Sequence, residues 1–151
     1  MLYLLSRSWF DGLVYRDGPN LLEEVDQSGN VLAKYTHGAD IDEPLSELRS
    51  GITNYYEQDV LGSVTSLTAS VGTIANTYTY DTFGKLTAST GSTTNPLRYT
   101  AREFDAETGI YYYRARYYDS NAGRFITEDP MGFHAETRRL PGSQDQKCTR
   151  P

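Results

Sequence analysis

The sequence predicts an all-β protein built from antiparallel hairpins, and three observations predict it. Thirteen of its nineteen aromatic residues are tyrosine, and threonine is frequent; both residue types sit well on a pleated, half-buried surface. Thirteen glycines and many Asn and Asp residues supply turn chemistry at short intervals. A strand-and-turn unit recurs at an offset of 22 residues, the length of one hairpin. At 151 residues the chain is long enough for one domain with a substantial core.

Positions 1–52 read as hairpins of this kind. A strand is expected over Tyr3 to Phe10, and its loss of an upstream neighbour would leave an unpaired edge. The opening "MLYLLSRSWF" is too short for a secretory signal and lacks its basic n-region. In "VDQSGNVLAKY", Asp26 and Gly29 make the turn, and Val31, Ala33 and Tyr35 share one face of the next strand. "IDEPLSELRS", positions 41–50, contains Pro44 and reads as a loop or a short strand.

Positions 53–95 hold the clearest repeat. "YEQDVLGSVT" and "YTYDTFGKLT" align as Tyr56/Tyr78, Asp59/Asp81, Gly62/Gly84, Val64/Leu86 and Thr65/Thr87. "GNVLAKYTH" and "GTIANTYTY" share Gly-x5-Tyr-Thr at an offset of 43, about twice the first. In the unit, Tyr78 and Tyr80 lie on one strand face and Thr77 and Thr79 on the other. Asp81 can bond its own backbone, and Gly84 can take a positive φ. One hairpin is marginal in water, so the units must join into a larger sheet.

Positions 96–133 contain "ETGIYYYRARYYDSNAGRF". Strict alternation places Tyr111, Tyr113, Ala115 and Tyr117 on one face, and Tyr112, Arg114, Arg116 and Tyr118 on the other. Asp119 to Gly123 turns the chain, and Arg124-Phe125 starts the return. The arginines are expected to lie along tyrosine rings or to pair with Glu103, Asp105 or Glu107. Positions 134–151 lose both period and aromatics and are expected to be a disordered tail.

Several functions are disfavoured. The net charge is −6 with a pI near 4.8, and the five arginines from Arg98 to Arg124 face four carboxylates. That gives no phosphate-binding stripe, so no nucleic-acid partner is expected. No apolar run is long enough for a membrane span. Cys148 stands alone in a polar tail and is expected to be a solvated thiol. Asp59, Asp81 and Asp119 fall in separate turns, not in a Ca²⁺-loop pattern. Asp40, Asp42 and Glu43 read as a solvated loop, and His37 and His134 lack ligand partners at metal spacing. Ser63 has no nucleophile-elbow glycines, and no phosphate-cradling loop is present. No metal and no cofactor are expected.

"YDTFGKLTASTG" resembles a YD repeat, the unit of the Rhs (rearrangement hot spot) proteins. "DIDEPLSEL", "YYEQDVLGSVTSLT" and "NPLRYTAREFDAETGIYYYRARYYDSNAGRFITEDPMGF" resemble the Rhs repeat-associated core segment. The likeness runs from about Trp9 to Phe133. It implies that YD repeats form a ribbon that spirals into a hollow β-cage, and that the core segment closes one end. It also implies a variable C-terminal toxin sealed inside, an aspartic autoprotease in the core that frees it, and an exported or cell-surface parent.

Asp129, in "DPMG", matches one catalytic aspartate of that autoprotease. Where the family places a second aspartate this chain reads "RRLPGSQ", with none before Asp145, and no further Asp-Pro-x-Gly-Leu follows. A dyad needs two carboxylates sharing a proton. The expectation is therefore a non-catalytic structural fragment of a toxin-enclosing shell, without a toxin domain. Its partners would be other shell segments, or a toxin in the full-length parent. The alternative is a cell-surface module binding glycan or protein through Tyr111, Tyr112, Tyr113, Arg114 and Arg116. An autoprotease using Asp119 or Asp145 as the second aspartate is the third reading.

Overall fold

The computed structural model describes residues 5–7 and 10–130, with side chains from Leu13 onward. Nine strands form one antiparallel meander in which each pairs with the next. They are β1 (Leu5–Arg7), β2 (Phe10–Asp17), β3 (Asn20–Asp26), β4 (Val31–His37), β5 (Pro44–Arg49), β6 (Ile52–Gln58), β7 (Val64–Ala69), β8 (Ile74–Tyr80) and β9 (Leu86–Thr90). A second, four-stranded sheet follows: β10 (Glu103–Asp105), β11 (Ile110–Tyr113), β12 (Arg116–Asp119) and β13 (Arg124–Phe125). The only helical element among the described residues is a 3-10 turn at Tyr99–Ala101. The fold is all-β and antiparallel, as the sequence predicts.

The repeat sets the turns. Asp26 Oδ1 accepts the Ser28 and Asn30 amides, Asp59 Oδ1 those of Leu61 and Ser63, and Asp81 Oδ1 those of Phe83 and Lys85, all at 2.8 to 3.0 Å. Each carboxylate thus ties down two backbone donors that a free loop would leave to water. The same period places the core. Tyr35, Tyr56 and Tyr78, one per hairpin, point to the same side of the sheet and are buried with Val14, Leu21, Ala33, Val64 and Leu67. Full burial of a side chain such as Leu67 is worth about 2 kcal/mol. Leu32, Leu48 and Tyr55 lie on the opposite, exposed side.

After β9 the chain crosses back over the buried face and seals it. Leu97 enters the core. The Val64 amide donates to Arg98 O at 3.0 Å, and the Thr100 amide to Ser63 Oγ at 3.1 Å. These bonds run sideways from β7 into the crossing segment.

One open reading is resolved and two local expectations are corrected. The region read as a loop or short strand at 41–50 contains β5, whose Pro44 opens the strand opposite His37; a first-residue proline keeps its missing N–H out of the ladder interior. The strand expected over Tyr3 to Phe10 is β1 at Leu5–Arg7, and Phe10 already begins β2. Among the described residues, β1 and β9 are the two edges of the nine-stranded sheet. The largest difference is at Arg114. This residue has φ 61°, and the Ala115 amide donates to Tyr113 O at 2.7 Å, so the chain reverses there. Tyr111 then faces Tyr118, and Tyr112 faces Tyr117. The alternation expected across 111–118 fails because those residues form two strands. The Asp119 turn and the Arg124-Phe125 return are present. The expected tail, with Cys148, Asp145 and His134, lies outside the described residues.

Candidate functional site

The small sheet is clasped to the turn end of the meander at three places. The first is Asp42, in the β4–β5 connection. Arg102 donates to both of its oxygens, Nη1 to Oδ1 at 2.8 Å and Nη2 to Oδ2 at 2.5 Å, and Arg114 Nη2 donates to Oδ1 at 2.5 Å. A planar guanidinium fits a carboxylate two-pronged in this way. Arg102 also lies 5.1 Å from the Tyr113 ring centre. Burial draws the Arg102 guanidinium down from its ordinary value, and the Asp42 charge opposes that. Asp42 was expected in a solvated loop; two arginines from distant segments make it an anchor instead.

The second clasp is a buried ion pair, Arg16 on β2 with Glu103 on β10, at 2.5 Å. Arg16 also stacks 5.5 Å from the Tyr112 ring. The third is aromatic. Tyr111 is fully buried; it donates to Gly84 O at 3.1 Å and packs against Phe104 and Tyr99, and Tyr99 packs on Tyr80. Burial raises the Tyr111 hydroxyl above its ordinary range. Tyr118 donates to Phe83 O at 2.9 Å. The Asp81–Gly84 turn of the repeat is therefore gripped by two tyrosines of the "YYYRARYY" stretch.

This settles where the five residues suggested for binding lie. Tyr111 is enclosed. Tyr112 and Tyr113 are half-buried, the first against Tyr117 at 5.5 Å and the second against Phe125 at 5.4 Å. Arg114 pairs with Asp42, and Arg116 pairs with Asp129 at 3.2 Å and lies over the Phe125 ring. Neither arginine takes Glu103, Asp105 or Glu107, the carboxylates expected for them, among its observed ion pairs.

A second cluster, unforeseen from sequence, lies on the buried face of β3 to β6. Glu24 and Glu47 are both enclosed. Tyr35 Oη and Arg49 Nη2 donate to Glu24, at 2.7 and 2.8 Å. Glu47 has longer contacts: Asn54 Nδ2 at 3.2 Å, Tyr56 Oη at 3.4 Å and Arg49 Nε at 4.0 Å. Burial pushes the Glu47 carboxyl up to about 7, against the opposing pull of Arg49. Strict alternation would set Glu24 opposite Leu21 and Val25 and put Glu47 on the side of the exposed Leu45; register shifts in β3 and at the start of β5 break that pattern, so the sequence carried no clear signal for this cluster.

Among the described residues, no group of three or more His, Cys, Asp or Glu is placed to hold a metal. No described helix is long and apolar enough to cross a membrane.

No family model matches the chain. It is similar to the tRNA3(Ser)-specific nuclease WapA of Bacillus spizizenii, at 35% identity over 129 residues, 83% of this chain and 5% of that protein. It is similar to the double-stranded DNA deaminase toxin A of Burkholderia cenocepacia, at 30% identity over 115 residues, 73% of this chain and 8% of that protein. Among solved structures it matches the Tc holotoxin pore of Photorhabdus luminescens, which carries a TccC3 substitution. The TM-score is 0.64 at 20% identity, covering 87% of this chain and 7% of that one. The fold is shared with that toxin, and this chain corresponds to a small part of each of these longer proteins.

Proposed function

We propose that the chain is a length of wall from an Rhs-type toxin-enclosing shell, acting by shape and without chemistry of its own. One observation carries this reading. The same stretch recurs in two proteins named for unlike activities, a tRNA nuclease and a DNA deaminase, where it is 5% and 8% of the length. A segment common to different chemistries supplies what they share, and a carrier is such a thing. The geometry supports it: of the residues that looked available for a ligand, Tyr111, Tyr112 and Arg114 hold one sheet to the other, and Tyr113 and Arg116 are engaged within the small sheet and the segments beside it. The clasped segment would close the end of the meander, and further shell segments would extend its edge strands, β1 and β9. Those segments, or a toxin enclosed by them, are the partners this reading assigns.

The absence of catalysis is tested by incubating the 151-residue chain between about pH 4 and pH 8 and recording its intact mass. A single species at 17.0 kDa is expected throughout. A shorter species ending near Phe133, lost in Asp129→Asn, would show an autoprotease and overturn the reading.

A further inference from the structure

We propose that Glu47, in the polar seam it forms with Glu24 and Arg49 on the buried face of the meander, is a proton-binding site, neutral in the folded protein. The seam holds two enclosed carboxylates and one guanidinium. Arg49 gives its close bond to Glu24 on β3 at 2.8 Å, and that carboxylate also receives the Tyr35 hydroxyl of β4 at 2.7 Å. Glu47 faces the remaining groups: Arg49 Nε at 4.0 Å, Asn54 and Tyr56 from β6, and beyond Tyr56 the Tyr78 ring of β8 and Asn95 of the crossing segment. An enclosed carboxylate whose nearest cation stands at 4.0 Å, beyond hydrogen-bond reach, is disfavoured and takes a proton instead.

The hydrogen-bond balance points the same way. Tyr56 Oη has one proton and two acceptors, Glu47 Oε2 at 3.4 Å and Asn95 Oδ1 at 3.2 Å. Asn95 in turn receives the Leu97 amide at 2.9 Å and so fixes the crossing segment. A proton on Glu47 Oε2 lets that carboxyl donate to Tyr56 Oη, and the tyrosine proton then goes to Asn95. All three groups are satisfied, and the seam is joined to the strand that covers it. Removing the proton leaves two acceptors competing for one donor beside a buried charge.

The sign follows from proton linkage. The folded state holds this proton to a higher pH than the unfolded chain, so its contribution is full below the ordinary carboxyl range. It declines as pH rises towards about 7 and then levels. The inference needs only the fold and stands apart from the shell reading.

The experiment is a pH titration of the chain labelled with ¹³C at its glutamate carboxyls, beside urea unfolding of the wild type and Glu47→Gln. One carboxyl resonance should titrate near neutral pH and be missing from Glu47→Gln. The wild-type urea midpoint should fall between about pH 5 and 7.5, while that of Glu47→Gln changes less. If every glutamate carboxyl of the wild type titrates in the ordinary acidic range, the proposal is wrong, whether or not the variant folds. A variant that folds and keeps the full wild-type decline also overturns it.

Discussion

Asp42 shows how much one side chain can hold when its partners come from far along the sequence. Arg102 and Arg114 stand 60 and 72 residues away, so nothing within the local "HGADIDEP" reveals that this carboxylate is an anchor and its neighbours turn residues. Replacing it leaves two half-buried guanidinium groups without their counter-charge. Asp42→Asn should cost about 2 kcal/mol in urea unfolding, below the value for a fully buried pair because the site is part-solvated. Tyr111 makes a complementary case. Tyr111→Phe removes only the bond to Gly84 O and should cost about 1 kcal/mol, whereas Tyr111→Ala empties an enclosed aromatic site and should cost roughly 3 to 5 kcal/mol. Equal losses from the two variants would mean that the ring is not packed as described. Glu24 and Glu47 belong with Asp42: irregular pairing breaks the alternation of "NLLEEVD" and "PLSELR", so neither which way they point nor that other segments enclose them was legible.

At the scale of elements, local chemistry made the hairpins legible. Asp26, Asp59 and Asp81 each precede a glycine by three positions, and each closes the same turn because one carboxylate can take two backbone amides. The hairpin at Arg114 was not legible. No Gly, Asn or Pro marks it, and "YYYRARYY" reads as unbroken alternation. A non-glycine positive φ at that point is held by the contacts of the Arg114 side chain and by the facing tyrosines, which are tertiary causes. Two glycines separate local from tertiary demands. Gly72 and Gly84 have φ of 84° and 81°, but a Cβ on Gly72 meets nothing, while one on Gly84 would lie 2.3 Å from the Tyr99 ring. Gly72→Ala should cost about 1 kcal/mol from backbone strain alone. Gly84→Ala should cost at least twice that, because the ring beneath it must move. Thermal melts of the two variants side by side check this, and similar values would argue against the clasp at this turn.

On the scale of the whole molecule, a nine-stranded meander could slip or fray at its edges, but a segment passing back across its buried face holds it. Leu97 and Asn95 enter the core, and the small sheet grips the turn end through ionic and aromatic contacts. The resemblance to Rhs proteins was readable in the sequence, yet the use of the chain's tyrosines and arginines was not, since it depends on two sheets meeting. Among the described residues, the groups on the buried face are engaged with one another, which is what the proposed wall requires.

The most direct test places residues 13–130 of this chain in the matching stretch of the Burkholderia deaminase toxin and follows protease digestion of the deaminase domain. If the chain is shell wall, the domain in the transplant resists digestion under native conditions and becomes susceptible once the shell is unfolded. Digestion at the rate of the isolated domain, in a transplant whose β-sheet signal is intact, would contradict it.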